Sequence, residues 1–397
     1  MDTAAVKARF KQTFGYTPAH FAHAPGRLEL LGTHTAHHDG LVLAAAVNRH
    51  ASLAAAPRTD GKIELVAPEC SARELFWISD LKKNPATPWA DPIKTLLTEL
   101  RRRGVPFSGF NAALHSEIPA GVGLGRTAAL QLAAALVIRQ LFPFRLTETG
   151  TTMPPRRDGR GRLPPLPPPE RLALARLCHS AGRELNPNRT LADYLPGLFG
   201  KAWHVLCLDC QFWSIHHAPL IGETLVVCDS GVRHPTTLGR VAEVRHFGTA
   251  AAAALGVRSL RAVEVSWLKA NQARLAGREL ACARHLVGEI QRGAFAERAL
   301  RDDDHAQFGQ YLFQSHESAR GNLGNSCAEL DRLVELARAL PACLGAGLSG
   351  PGFGGATVNL VRHHQVEDFM TTIAAQHQGR TERTRSPLLC QIVDAPE

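Results

Sequence analysis

A loop with glycine at every second position, followed at once by an alanine-rich helix, constrains this chain more than any other stretch. Residues 119–139 read PAGVGLGRTAALQLAAALVIR. Gly121, Gly123 and Gly125 have no Cβ, so a ligand or another backbone segment is free to approach closely. The residues at 127–138 are mostly strong helix formers, with Thr127 placed to cap their start. A glycine loop that opens a helix presents free N–H groups and the positive end of the helix dipole, a setting suited to phosphate. The loop matches neither the Walker pattern, since no Gly-Lys-Ser/Thr follows, nor G-x-G-x-x-G, since Arg126 and Thr127 precede Ala128. Without further context it reads equally as an anion cradle or as a turn ahead of a buried helix.

The 397 residues suffice for two domains or one large one, and 45% hydrophobic with 20% charged residues describes a globular chain. No segment reaches the ~18 apolar residues of a membrane span, because the run after Thr127 stops at Arg139. The opening MDTAAVKARFKQTFGY is charged and helix-like and lacks a signal-peptide core. The nine cysteines are scattered except for Cys207 and Cys210, and no second pair completes a zinc site. Reduced thiols and a cytoplasmic protein are expected. The net charge of +9 is partly local, with five arginines against two acids in 156–171. No zinc finger, helix-turn-helix or basic-aromatic pattern accompanies it, so no nucleic-acid partner is expected. An anionic cofactor or simple solubility accounts for the charge.

Along the chain, 28–31 and 41–47 are strand-like and flank a loop carrying His34, His37, His38 and Asp39. That spacing fits no standard zinc site, and loop histidines are ordinarily solvated. Arg27, on a tight turn after Ala-Pro-Gly, is either a surface arginine or a clamp for phosphate or carboxylate. A strand at 109–119 delivers the chain to the glycine loop. The proline-rich stretch 151–171 is expected to be an exposed, extended surface insertion. Helix is expected over 172–184 and through most of 240–322, with strands at 203–209 and 225–229. Asp193, at the threshold of the first of these strands, would ordinarily be read as a helix cap. The glycines of GAGLSGPGFGGATVNLV, from Gly345 onward, imply close backbone approach to a ligand or to the first glycine loop.

Together these pieces resemble the GHMP small-molecule kinase family and, within it, its galactokinase branch, over nearly the whole chain. Ala24-Pro-Gly-Arg-Leu-Glu-Leu-Leu-Gly-Thr-His-Thr is similar to the signature A-P-G-R-V-N-L-I-G-E-H-T-D. Residues 119–129 resemble the phosphate loop P-x-G-x-G-L-(G/S)-S-S-A, and 350–358 resemble G-A-G-F-G-G-C-T-V. The resemblance implies an α+β, two-lobed fold, with a ribosomal S5 domain 2-like lobe in 1–200 and a ferredoxin-like lobe in 201–397. It also implies ATP with Mg²⁺, a sugar acceptor bound between the lobes, and phosphoryl transfer to a sugar hydroxyl. Carried over residue by residue, Asp193 and Arg27 match the catalytic pair, and Thr33, His34, Ala36 and Thr190 fall at acceptor positions. Gly121, Gly123, Leu124, Gly125, Arg126, Thr127 and Ala128 fall at ATP positions, with Thr127 also a hydroxyl for Mg²⁺. The pair makes chemical sense, because an arginine keeps a neighbouring aspartate ionised for work on an attacking hydroxyl.

Departures from the pattern gather at the ligands. Thr33 and Ala36 stand where the family has a glutamate and an aspartate that hold sugar, and Val241 aligns with a sugar-contacting tyrosine. Arg126-Thr127 replace a serine pair, and Pro351 replaces a residue with a backbone N–H. The helical glutamate for Mg²⁺ falls at Ala181 or Gly182, with Glu184 offset. Two readings follow: a working sugar kinase, or a catalytically impaired homologue serving as a binding or regulatory protein. An open phosphate site beside Thr127 would favour the first, and Arg126 plugging that site by pairing with Asp193 would favour the second.

Overall fold

The computed structural model describes residues 3–67, 72–147, 150–233, 237–377 and 386–396. Helix α1 (Thr3–Phe14) leads into two long antiparallel strands, β1 (His20–Leu31) and β2 (Leu41–Pro57). The sequence of β2, LVLAAAVNRHASLAAAP, is an almost unbroken apolar run, and it is buried nearly throughout. One edge of β2 takes β1 along its whole length. Strands β3 (Lys62–Ala67) and β4 (Ala72–Trp77) are followed by helix α2 (Asp91–Arg102) and β5 (Phe110–Ser116), which pairs with the far half of β2.

After the glycine loop comes helix α3 (Arg126–Leu141), and a two-residue ladder joins β6 (Arg145–Leu146) to β7 (Thr151–Thr152). Helices α4 (Pro168–Arg183) and α5 (Pro196–Phe199) precede β8 (His204–Asp209) and β9 (Ser214–Pro219). Strand β8 pairs with the near half of β2, which completes a seven-stranded sheet in the order β4-β3-β5-β2-β8-β9 with β1 on the other edge of β2. Helices α2, α3 and α4 bury Ile93, Leu96, Leu132, Ala133 and Leu174 against one face. The alanines of β2 and α3 let that face pack closely.

The remainder builds a four-stranded antiparallel sheet in the order β11-β12-β10-β13. Its members are β10 (Glu223–Arg233), helices α6 (Thr237–Leu255), α7 (Val265–Asn271), α8 (Gly277–Arg301), α9 (His305–Ser318) and α10 (Ala328–Arg338), then β11 (Cys343–Ser349), β12 (Gly354–Arg362), α11 (Val366–His377) and β13 (Leu388–Cys390). A second core joins the sheets: Leu28 and Leu43 from the first pack in one cluster with Val227, Phe308, Leu312 and Val358. The backbone after β13 also returns to the first sheet, where the Val393 N–H donates to the Ala46 carbonyl at 3.0 Å. No helix among the described residues is long and apolar enough to cross a membrane.

Three expectations need adjustment. The first sheet runs past residue 200, because the apolar 204–209 run finds its partner on the free edge of β2, so the sheets divide between β9 and β10. Helix α3 begins at Arg126 with Gly125 as its N-cap, leaving Thr127 inside the first turn without a capping bond. The 151–171 stretch is largely exposed, yet its end is already helical from Pro168, since proline is tolerated in a first turn.

The contact between α9 and β11 tests the second core. A Cβ on Gly309 would lie 2.2 Å from the Leu344 carbonyl oxygen. Alanine normally favours a helix over glycine by about 1 kcal/mol, but forced overpacking costs about 1–3 kcal/mol. Gly309→Ala is therefore expected to lower the urea midpoint, and an unchanged or raised midpoint would contradict this packing.

Candidate active site

Residues two apart on a strand share a face, so β1 presents Arg27 and Glu29 side by side. The Arg27 backbone N–H donates to the Leu124 carbonyl at 3.0 Å, which ties the strand to the glycine loop. Gly26 permits this approach, because a Cβ there would sit 2.9 Å from the same Leu124 oxygen. The Arg27 guanidinium donates to one Asp193 oxygen, and the other accepts the Thr190 backbone N–H at 2.8 Å. Asp193 is thus both the cap that its place in the sequence suggests and the partner of Arg27. The next residue anchors the turn, with the buried Tyr194 hydroxyl donating to Gln131 of α3 at 2.7 Å.

Burial by itself would raise the Asp193 carboxyl, but Arg27 and Arg189 more than offset it and hold the group below the ordinary aspartate range. Glu29 behaves oppositely. Its burial, with the Asp193 charge nearby, pushes its carboxyl above the usual glutamate value. Its Oε2 lies 3.8 Å from Arg27 Nη1, too far for a hydrogen bond, and Arg27 and the Thr33 hydroxyl only moderate the rise. The Nε and Nη1 groups of Arg27 are buried without a hydrogen-bond partner.

The loop between β1 and β2 is held from α8. Buried Glu289 accepts the Gly32 N–H at 3.0 Å, and His285 reaches the Thr33 carbonyl at 3.4 Å. His34 takes a left-handed backbone with φ 68° and faces the Pro351 carbonyl at 3.2 Å. Burial, reinforced by His285, pushes the His34 ring down to about 3.

Both glycine loops meet here. Gly123 has φ 80°, and a Cβ on it would fall 2.1 Å from the Ser349 carbonyl oxygen. The Ser349 hydroxyl in turn donates to the Val122 carbonyl at 3.1 Å. Three cavities open around this junction. One of about 220 Å³ is lined by Arg27, Thr33, His34, Ala36, Thr190 and Asp193, with Gly123 and Gly125 at its glycine-loop side. A second, of about 280 Å³, lies between Gly121, Gly123 and Gly352 and includes Arg233. The third, of about 210 Å³, is lined by Trp89, Leu114, Arg126, Thr127 and Leu130.

The structure therefore gathers Arg27, Asp193, Thr33, His34, Ala36 and Thr190 around one cavity and divides the glycine-loop residues among all three. Leu124 and Ala128 are buried in packing, so Leu124 contributes its carbonyl and no side chain. Arg126 does not reach Asp193. It donates to the Ile118 carbonyl at 3.2 Å and lines the cavity shared with Thr127, which stays open. Val241 lines the Asp193 cavity as its alignment implies, whereas His234 and Pro235 lie outside the described residues.

Sequence reasoning missed Glu29, Arg189, Arg233 and Trp89. The period-2 rule could have found Glu29, because it follows Arg27 by two in a strand. Arg233, paired with Asp229 at 2.8 Å, stands over Gly121, where a Cβ would be 2.3 Å from its Nε. No local pattern announces that contact.

A protein-held Mg²⁺ fits poorly. A Cβ on Gly182 would lie 1.8 Å from the Tyr194 hydroxyl, so that position has no room for a carboxylate. Glu184 turns to Arg102 at 2.7 Å instead. Thr127 lines a different cavity from Asp193, and among the described residues no group of three acidic, histidine or cysteine side chains could hold a metal.

The chain matches the galactokinase galactose-binding signature over 8–57, the GHMP kinases N terminal domain over 92–152 and the GHMP kinases C terminal domain over 296–376. It is 33% identical to a galactokinase of Roseiflexus sp. (strain RS-1), covering 99% of this chain and 96% of that one. Against a galactokinase of Homo sapiens it is 32% identical, over 95% and 92% of the two chains. Its fold superposes on a galactose-bound Lactococcus lactis galactokinase with a TM-score of 0.86 at 24% identity, over 100% and 99% of the chains. A Methanococcus jannaschii mevalonate kinase gives 0.65 at 16% identity, over 94% and 98%.

The buried histidines of this region make stability depend on pH. His38 is pushed down to about 4, chiefly by burial and then by His37, and the rings of His34 and His285 move in the same direction. Below pH ~6.5 the unfolded chain binds protons that the folded chain refuses, so stability falls as pH drops, until each lowered value is reached. For the buried His38 ring the slope approaches about 1.4 kcal/mol per pH unit. Urea unfolding at pH 7, 6 and 5 should show this decline, and His38→Asn should flatten it; equal slopes in the two proteins would refute the assignment.

Proposed function

The chain belongs to the galactokinase family of the GHMP kinases, and from that premise we propose that it transfers the γ-phosphate of ATP to a hydroxyl of galactose or a related sugar. One observation carries the catalytic assignment: the Arg27–Asp193 pair borders a cavity that the glycine loop also enters. Asp193, kept ionised by its two arginines, orients the acceptor hydroxyl and takes its proton as the new O–P bond forms. The bond from the γ-phosphorus to the bridging oxygen breaks, and ADP leaves with that electron pair. Arg27 balances the charge moving onto the phosphoryl oxygens, and its unpartnered Nε and Nη1 suit that task.

Further support comes from the surroundings of the loop. The start of α3 offers N–H groups and the positive end of its dipole, and Arg233 adds a fixed charge beside Gly121. The cavity with Trp89, Leu114 and Leu130 suits a flat base, and the buried Trp89 Nε1 has no partner. Mg²⁺ would arrive with the nucleotide, and Thr127 would offer a hydroxyl from the glycine-loop side. Acceptor recognition rests on Thr33, Thr190 and Glu29 in place of the two carboxylates that Thr33 and Ala36 replace.

Melting with and without Mg-ATP tests the nucleotide half of this reading. At 100-fold excess over the dissociation constant, binding should add about 2.7 kcal/mol. A coupled assay over a panel of sugars tests the other half. Asp193→Asn is expected to lower kcat by about 10²–10⁴-fold while the nucleotide-induced shift survives. No shift with Mg-ATP, or undiminished turnover in the variant, would overturn the proposal.

A further inference from the structure

A cavity of about 650 Å³ lies away from the glycine loops, between α7, α8 and α9, and shares no lining residue with the Asp193 cavity. Its volume falls in the range of small-molecule sites, roughly 300–1,000 Å³. Lys269, Arg284 and Arg292 line it, and no aspartate or glutamate does. Lys269 has no hydrogen bond or ion pair among the described residues, and Arg284 has only the Gln272 side-chain oxygen at 2.8 Å. Phe295 and Tyr311 form an apolar wall, their rings 6.3 Å apart and tilted by 31°. Gly288 leaves the guanidinium of Arg292 uncovered, since a Cβ there would sit 3.2 Å from its Nη1.

We propose that this cavity is an effector site for a small organic phosphate and that its occupancy is felt at the acceptor loop. A lysine and two arginines without a lining carboxylate supply point charge and forked donors for phosphate oxygens. The ring wall and the neighbouring Gln272, Gln314 and Ser318 suit the hydroxylated body of a phosphate ester. Two short links run from this cavity to the loop after β1. Arg292 pairs at 2.7 Å with Glu289, whose other oxygen accepts the Gly32 N–H. Ser318 lies 3.0 Å from His285 Nδ1, and the opposite ring nitrogen of His285 faces the Thr33 carbonyl. A phosphate that draws on Arg292 competes with Glu289 for the same guanidinium and so alters the hold on Gly32.

The test is calorimetric titration of the full chain with glucose 6-phosphate, with AMP and with inorganic phosphate, joined to hydrogen exchange of a peptide covering 28–40. We expect a phosphate ester to bind, and to bind at least tenfold more weakly to a Lys269→Glu/Arg284→Glu double variant. The arms separate a sugar phosphate from a nucleotide, and tighter binding of inorganic phosphate than of either ester would overturn the ester assignment. Gly288→Ala, which alanine's helix preference should keep folded, is expected to weaken binding by crowding Arg292. Bound ester should change exchange over 28–40 in the wild type. Equal affinity in the double variant, no binding of any probe at millimolar concentration, or binding that leaves 28–40 unchanged would each overturn the proposal. None of these readouts needs turnover, so the outcome is independent of the kinase assignment.

Discussion

A buried arginine–aspartate pair sets the terms for everything around it. Taking Arg27 and Asp193 out of water is tolerable only if their geometry is fixed and their remaining polar atoms are served. The fold meets that demand from three directions. Strand β1 holds Arg27 through the Leu124 carbonyl, the turn before α5 holds Asp193 through Thr190, and α3 holds that turn through Gln131 and Tyr194. Each support comes from a separate part of the first sheet and its helices, so the pair forms only when that whole assembly forms. The Nε and Nη1 of Arg27 have no hydrogen-bond partner, and Nη1 has only the 3.8 Å approach of Glu29.

The glycine loops serve a second constraint, the seam between the two sheets. Gly123 against Ser349 is such a contact, in which backbone meets backbone where any side chain would intrude, and Gly309 against Gly345 repeats it within the second part, between α9 and β11. Ligand approach alone would not require these contacts. The glycines of the first loop let β11 and its following loop close against the start of α3. The packing demand therefore falls on the same residues that the proposed phosphate role would use, and substitution there would not separate the two cleanly.

Much of this was legible along the chain because the signals are local. Alternating glycines before an alanine-rich run, an apolar β2 and an aspartate at a turn are each visible within a window of about ten residues. Arg27 and Asp193 came from motif order, since they lie 166 positions apart and nothing local connects them. What escaped was through-space. Arg233 reaches Gly121 across the seam between sheets, and Tyr194 occupies the space a longer residue at 182 would need. The strand expected at 203–209 forms over His204–Asp209 but pairs within the first sheet, because register against β2 is a property of the sheet and not of the strand.

The replacement of acceptor ligands takes on a different meaning once Glu29 is in place. Thr33 and Ala36 lack carboxylates, yet the cavity has gained one two residues after Arg27, within bonding reach of the Thr33 hydroxyl. Burial, with the Asp193 charge nearby, holds that carboxyl above the usual glutamate value, while Arg27 and Arg189 hold Asp193 below the usual aspartate value. The cavity therefore carries two carboxyls whose surroundings push them in opposite directions. Because Glu29 shares a strand face with Arg27, both side chains enter the Asp193 cavity from the same strand of the sheet.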